Sequence, residues 1–339
     1  MRRSLALCSS LALLAAALGA AIPLRADEYS RGGTFILPGW DAKGTALGGA
    51  AVALSRDESA AYWNPANLTF LPSARLGLGT MEQVPGVGSR YSVLSAAMSF
   101  SERPPRAGTR WGSGPGESPS DTSLTEGGPA ASWDTVPWRR VAVALSASHL
   151  GLDLAGGSRW NESTIAVSGA YAPRSGTSLG VTVRGMKSWT DLADAGSWGV
   201  TFDAGVIERL TDHAWIAATG KNIFGLVSYP ERVDTLDSTW NIALACRGLF
   251  DRVSMECDAV IAHRAIDRLL VGVELLLAPK LLSVLGGAEV RMTGGERVIP
   301  SVGVATTFRY AEIALSSSFD PIDAFGIETR VSASLLFPQ

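Results

Sequence analysis

The sequence predicts an all-β fold, a transmembrane antiparallel β-barrel of about 14 strands. Three observations lead there. From Ala74 onward, apolar residues recur at every second position, the period of a strand with two unlike faces. Each such stretch is close to the ~9–11 residues that a tilted strand needs to cross a bilayer, and the connections alternate between long and short. The chain is 46% hydrophobic and 18% charged, where about 25% charged is usual for soluble domains. An apolar, exported chain without a membrane helix points to a closed barrel, the other structure that satisfies its backbone in lipid.

Export is read from the first residues. Arg2 and Arg3 precede an apolar run over 5–21, small residues follow, and the chain turns polar at Asp27. This is the pattern of a secretory signal peptide over 1–26. The alternative is a transmembrane anchor, but no second spanning segment follows. The best later candidate, 269–290, is interrupted by Glu274, Pro279 and Lys280, short of the roughly 20 apolar residues a helix needs.

Residues 41–72 read as a small helical unit. "DAKGTALGGAAVAL" places Ala46, Leu47, Ala50, Ala51 and Leu54 along one helix face, and "RDESAAYW" continues as a second short turn. "NPANLTFLP" ends it, because an Asn-Pro pair breaks a helix and starts a turn.

Strands are expected near 74–81, 90–100, 138–149, 161–172, 177–187, 197–208, 214–223, 238–249, 252–263, 268–277, 281–292, 298–307, 309–318 and 325–337. In "RRVAVALSASHL", Val141, Val143 and Leu145 alternate with Ala142, Ala144 and Ser146. In "GIETRVSASLLF", Ile327, Val331, Ala333, Leu335 and Phe337 alternate with Glu328, Arg330, Ser332 and Ser334. One face fits lipid and the other a polar lumen; a soluble sandwich shows the same alternation, but has no reason to sort its loops by length. With both termini periplasmic, the outside links include 150–160, 188–196, 224–237 and 319–324. The periplasmic links include 173–176, 209–213, a two-residue turn at Asp251-Arg252, and 278–280. Residues 101–137 break the pattern. They occupy a short-turn position, half of them are Pro, Gly or Ser, and none alternate, so they read as a flexible insertion.

A two-residue turn at Asp251-Arg252 would pair Phe250 with Val253, Arg247 with Glu256 on the inner side, and Cys246 with Cys257 on the outer side. The cysteines are read as two small apolar thiols facing lipid. A disulfide is the alternative, but directly opposed strand positions strain its geometry. Trp138, Trp160, Trp189, Trp198, Trp215 and Trp240 fall near strand ends, where indoles favour the headgroup zone.

A net charge of −3 leaves no basic surface for nucleic acid. No GxSxG, HExxH, CxxC, P-loop or Rossmann fingerprint appears, and His149, His213 and His263 lie in separate hairpins. No enzyme, cofactor or metal site is expected. Inward-phase charges at Arg184, Asp203, Arg247, Glu256, Asp258, Glu274, Glu289, Arg291, Glu312, Glu328 and Arg330 read as a hydrated lumen network of mixed sign.

"GTALGGAAVALSRDESAAYWNPANLTFL" (44–71) resembles the N-terminal signature of the FadL/PorV superfamily of bacterial outer-membrane barrels. "SWGVTFDAGVIERLTDHAWIAATGKNIFG" (197–225) is similar to the PorV-type pattern of an Asp-containing strand, a short turn and a strand ending near Lys-Asn. The resemblance implies a barrel in the outer membrane whose segment 27–72 folds into the lumen as a helical hatch. The motif residues are Gly44, Gly48, Gly49, Asn64, Pro65 and Ala66. In FadL-type members, hydrophobic molecules pass around the hatch and leave through a wall opening. In PorV-type (PorV/PorQ-like) members, the barrel binds C-terminal domains of exported proteins for a secretion system. The implied partners are outer-membrane lipid and either a small hydrophobic ligand or secretion proteins. Physically, a fourteen-strand lumen is too wide for strand side chains to fill, so something must plug it.

Overall fold

A computed structural model describes residues 39, 41–72, 74–83, 89–101, 140–153, 157–174, 176–191, 196–278, 281–293, 297–320 and 327–337. The segment read as a signal peptide, and all but Ser101 of the insertion, lie outside the described residues. Fifteen strands follow one another. They are β1 (Ala74–Gln83), β2 (Ser89–Ser101), β3 (Arg140–Asp153), β4 (Arg159–Arg174), β5 (Thr177–Thr190), β6 (Ser197–Arg209) and β7 (Ala214–Ser228). Then come β8 (Val233–Thr235), β9 (Thr239–Leu249), β10 (Val253–Ala262), β11 (Ala265–Ala278), β12 (Leu282–Arg291), β13 (Arg297–Thr307), β14 (Ala311–Phe319) and β15 (Ile327–Phe337). Apart from the short β8, each pairs antiparallel with the next, β7 with β9, and β1 with β15, so fourteen strands close into one ring. The three-residue β8 only extends the edge of β7.

The wall inverts the burial of a soluble protein. On β4, Ile165 and Val167 are 61% and 59% exposed while the intervening Ala166 and Ser168 are 2% exposed. Apolar side chains point out and small or polar ones point in, the alternation general to barrel walls that separate lipid from a polar lumen. Connections at the rim where the barrel begins and ends (the near rim) are short: 175–176, 210–213, 250–252, 279–281 and 308–310. The exception is 102–139. The opposite, far rim carries longer ones, such as 191–196, 229–238 and 320–326. The far-rim turn at His263 and Arg264 is tight, with φ of 51° and 66°, as a twisted two-residue hairpin demands.

The β9–β10 hairpin departs from the expected register. Val253 pairs with Leu249, Met255 with Cys246, Glu256 with Ala245 and Cys257 with Leu244, with a register shift between Val253 and Met255. The turn spends three residues rather than two. Phe250 and Asp251 take positive φ, and the Asp251 and Arg252 N–H groups donate to Gly248 and Leu249 carbonyls. Arg247 and Glu256 therefore do not face each other. Cys257 carries a free thiol, so no Cys246–Cys257 disulfide forms.

The indoles divide between two environments. Trp198 and Trp240 stand outward at the far rim, and Trp189 lies against His149 at 5.8 Å. Trp215 corrects the girdle expectation: it shares the inward phase of Ala217 and Thr219 and is buried against Phe70 inside the barrel. Trp160 also shares the inward phase, and its Nε1–H donates to Glu162.

Candidate functional site

Residues 41–71 occupy the lumen as two short helices, α1 (Ala42–Ala46) and α2 (Ala60–Trp63), followed by a 3₁₀ turn over Pro65–Phe70. Helices this short cannot stand alone; side-chain caps and the wall hold them. The Asp41 carboxylate caps α1 by accepting from Gly44 N at 2.7 Å and also accepts from Trp63 Nε1 at 2.7 Å. It thereby ties the first piece of the hatch to the second. Burial and the nearby Asp57 raise the Asp41 pKa, and the bonds from Trp63 and Gly44 oppose them. Gly44 makes this closure fit, since a Cβ there would lie 2.6 Å from Trp63 Nε1. Gly48 and Gly49 turn the chain after α1 with φ of 66° and 84°, a conformation that costs glycine little.

The Asn64-Pro65-Ala66 motif is the best-satisfied part of the hatch. Asn64 Nδ2 donates to Val52 O at 3.1 Å and to Val206 O on β6 at 3.2 Å, while its Oδ1 accepts from Ala66 N at 3.1 Å. Pro65 takes the first position of the 3₁₀ turn, where the missing N–H costs nothing. Asn67 Nδ2 adds a second donor to Val52 O at 2.9 Å. This segment reaches the wall because two inward positions are glycine. A Cβ on Gly180 would meet Ala66 N at 2.3 Å, and one on Gly205 would meet Asn64 Oδ1 at 2.0 Å. On the other flank, Leu47 and Gly48 lie on Gly287, where a Cβ would meet Leu47 C at 2.1 Å.

The wall charges play separate parts. Glu256 is a clamp: its two carboxylate oxygens accept from Ala53 N at 2.6 Å and Leu54 N at 2.9 Å. Asp258, two positions along, is fully buried on the same face. Arg184 and Asp203 form a buried pair at 2.9 Å. Asp203 also accepts from Asn222 N at 2.8 Å. There β7 bulges and Asn222 takes a φ of 54°. Beside it, Lys221 Nζ lies 3.6 Å from the centre of the Tyr62 ring. Arg330 donates to Gly39 O and to Glu328. Glu289 pairs with Arg291 at 2.5 Å, and Arg268 approaches it at 3.8 Å. Lys43 pairs with Glu312 at 3.3 Å. Glu58 lies 4.0 Å from Arg75 and accepts from Ser334. Burial, then the adjacent Asp57, pushes the Glu58 pKa up to about 7. Glu274 and Arg247 line the lumen nearer the rim. Several of the lumen charges thus grip the hatch.

Two cavities flank α1. One, of about 360 Å³, opens toward the far rim and is bordered by Thr45, Gly48, Tyr62, Trp63 and Lys221. The other, of about 880 Å³, opens toward the near rim and is bordered by Leu47, Ala51, Leu54, Phe70, Trp215 and Leu276, with arginines among them. Asp41, Arg56, Lys221 and the wall glycines escaped the sequence reading. The available signal was glycine on the inward phase of a strand, which marks close approach of another backbone. The three histidines sit apart, bonded to Ser163, Arg247 O and Asp237. Among the described residues, no group of three or more His, Cys, Asp and Glu is placed to hold a metal.

No protein-family model matches the sequence, and no curated protein matches it by sequence. Solved structures do match by fold. The CymD monoaromatic hydrocarbon channel is 12% identical with a TM-score of 0.61, over 90% of this chain and 100% of that one. The Pseudomonas putida toluene transporter TodX is 13% identical with a TM-score of 0.55, over 90% and 100%. A Pseudomonas aeruginosa FadL homologue is 12% identical with a TM-score of 0.50, over 90% and 99%. The ring of fourteen antiparallel strands in this chain is the fold of the FadL-type outer-membrane barrels.

Proposed function

We propose that the protein resides in a bacterial outer membrane, with its near rim in the periplasm, and passes small hydrophobic molecules across around the hatch. The observation that carries this reading is the pair of cavities on opposite sides of α1. The hatch occupies the middle of the lumen without filling either end, and the larger cavity offers apolar surface from Leu47, Ala51, Leu54, Phe70, Trp215 and Leu276 between its charged side chains. A water-filled porin would leave its axis open; here Asn64, Glu256 and the wall glycines hold a plug across it. The similar solved structures bear titles of monoaromatic hydrocarbon and toluene channels, which supports the reading at the level of fold.

Two measurements on the native protein test it. Proteoliposomes should not swell in isosmotic sugar, and cells carrying the barrel should take up labelled toluene faster than cells without it. Sugar-driven swelling would make it a general porin. Unchanged toluene uptake, together with stoichiometric recovery of secretion components from solubilised outer membranes, would replace transport with a role in protein export.

A further inference from the structure

We propose that the outer wall carries a binding site for the phosphate headgroup of a membrane lipid, formed by Lys187, His149 and Ser163 on three neighbouring strands. On β3, β4 and β5 the outward face is apolar: Val143 and Leu145, Val167 and Ile165, and Val181 and Val183 are all exposed. Toward the far rim the three runs end at one height. The register pairs His149 with Ser163 and Ser163 with Lys187, so these side chains stand side by side on the lipid face, across the wall from the lumen. Trp189 is the next outward position on β5, and Trp198 pairs with Lys187 on β6. Indoles favour the headgroup zone, which sets the height of the group.

Charge and hydrogen bonding fit a phosphate. Lys187 is exposed and makes no ion pair among the described residues. Asp153, nearer the rim, is engaged by Arg159 at 3.0 Å, and Glu162 faces inward and accepts from Trp160. His149 Nδ1 bonds Ser163 Oγ at 3.0 Å, and its ring lies 5.8 Å from that of Trp189. A neutral imidazole that accepts at Nδ1 carries its hydrogen on Nε2. The ring, oriented by Ser163 and Trp189, thus adds a second donor to the lysine's face. Phosphate oxygens accept charge-assisted hydrogen bonds from such a set. Below the cluster the wall is recessed. Ala147 and Gly185 flank Ile165 in register, and a Cβ on Gly185 would meet only Ile165 O, at 4.0 Å. Acyl chains fit beside Ile165 while the phosphate stays at Lys187, which selects a lipid over free phosphate.

The site rests on the outer-membrane reading only for the leaflet it faces, and its test does not use transport. Native mass spectrometry of the whole detergent-solubilised barrel tests it, with lipid A, dephosphorylated lipid A and inorganic phosphate as probes. Lipid A should bind, and removing its phosphates should weaken binding at least fivefold. Lys187→Gln should weaken lipid A at least fivefold, and Lys187→Arg should stay within twofold of the native protein, because the charge is kept. Arg264→Gln, at an exposed far-rim turn, should change binding less than twofold. If Lys187→Gln fails to fold, judged by heat-shifted migration in detergent gels, His149→Ala replaces it and should weaken lipid A at least twofold. The proposal is overturned by wild-type protein that does not bind lipid A, by dephosphorylated lipid bound as tightly, or by a folded Lys187→Gln or His149→Ala variant that binds unchanged. An equal loss in Arg264→Gln, or displacement of lipid A by inorganic phosphate at equal concentration, overturns it too. Failed toluene uptake with lipid A binding intact would sink the transport reading alone.

Discussion

The hatch meets the barrel on two flanks, and the two contacts are built differently. Toward β5 and β6, Asn64, Pro65 and Ala66 sit over Gly180 and Gly205, and the Asn64 amide bonds the β6 backbone at Val206 O. Toward β12–β15, Ala42, Ala46 and Leu47 pack against Leu285, Ala305 and Ala314, with Leu47 and Gly48 over Gly287, and the bonds go to wall side chains: Lys43 to Glu312 and Ala42 N to Ser332 Oγ, each at 3.3 Å. Both flanks use missing wall side chains to let a backbone approach. The first bonds the wall's backbone, whose position the sheet fixes, whereas the second bonds wall side chains, which keep rotamer freedom. The Asn64 flank is tied to wall backbone, and the α1 flank to wall side chains.

Substitutions can break this contrast. The largest effect is expected from Gly205→Val, whose side chain takes the place of the Asn64 oxygen. Overpacking against a fixed amide should cost about 3 kcal/mol, free the hatch to proteolysis and raise single-barrel conductance in planar bilayers. A conductance like that of the native barrel would show that the hatch does not depend on this seat. Asn64→Ala comes next, at about 2–3 kcal/mol, because it removes three hydrogen bonds within a buried site. Thermal unfolding in detergent should register the loss. Gly287→Ala sharpens the comparison. Its added carbon also meets hatch backbone, but a flank tied through side chains has more freedom to adjust, so about 1 kcal/mol is expected. A loss equal to that of Gly180→Ala would erase the distinction between the flanks.

The smallest effect is a pH dependence. Glu58, whose carboxyl is raised to about 7 by burial and then Asp57, holds its proton more tightly in the folded hatch than in the unfolded chain. Its contribution is therefore fully present below the unfolded carboxyl value and is lost as pH rises through about 7. The thermal midpoint should fall as pH rises over that window. Glu58→Gln should flatten the curve; a native-like slope in that variant would place the titration elsewhere.

The wall was legible because a strand with an apolar outer face alternates simply: Val141, Val143 and Leu145 stand out, and Ala142, Ala144 and Ser146 stand in. The β9–β10 turn was not, since Phe250 and Asp251 carry no glycine-like signature for their positive φ. Trp215 was misplaced by a rule about strand ends, although its phase matched Ala217 and Thr219 on the inner face. The Asn64-Pro65 pair read locally as a helix break and, through its resemblance to known barrels, as a signature, but nothing local says which carbonyl Asn64 reaches. Arg56 reads as one charge in a polar break, "SRDES". Its seat against Phe70 and Trp215 appears only once the hatch meets the wall.

The sequence by itself determined the number of strands, their inner and outer faces, and a small-residue segment ahead of them, because period and composition are properties of a chain read locally. Only the tertiary structure decided which wall glycines receive the hatch, which carboxylates clamp it and where a guanidinium meets aromatic rings. Those depend on residues hundreds of positions apart meeting across a lumen, and a one-dimensional pattern does not encode that distance.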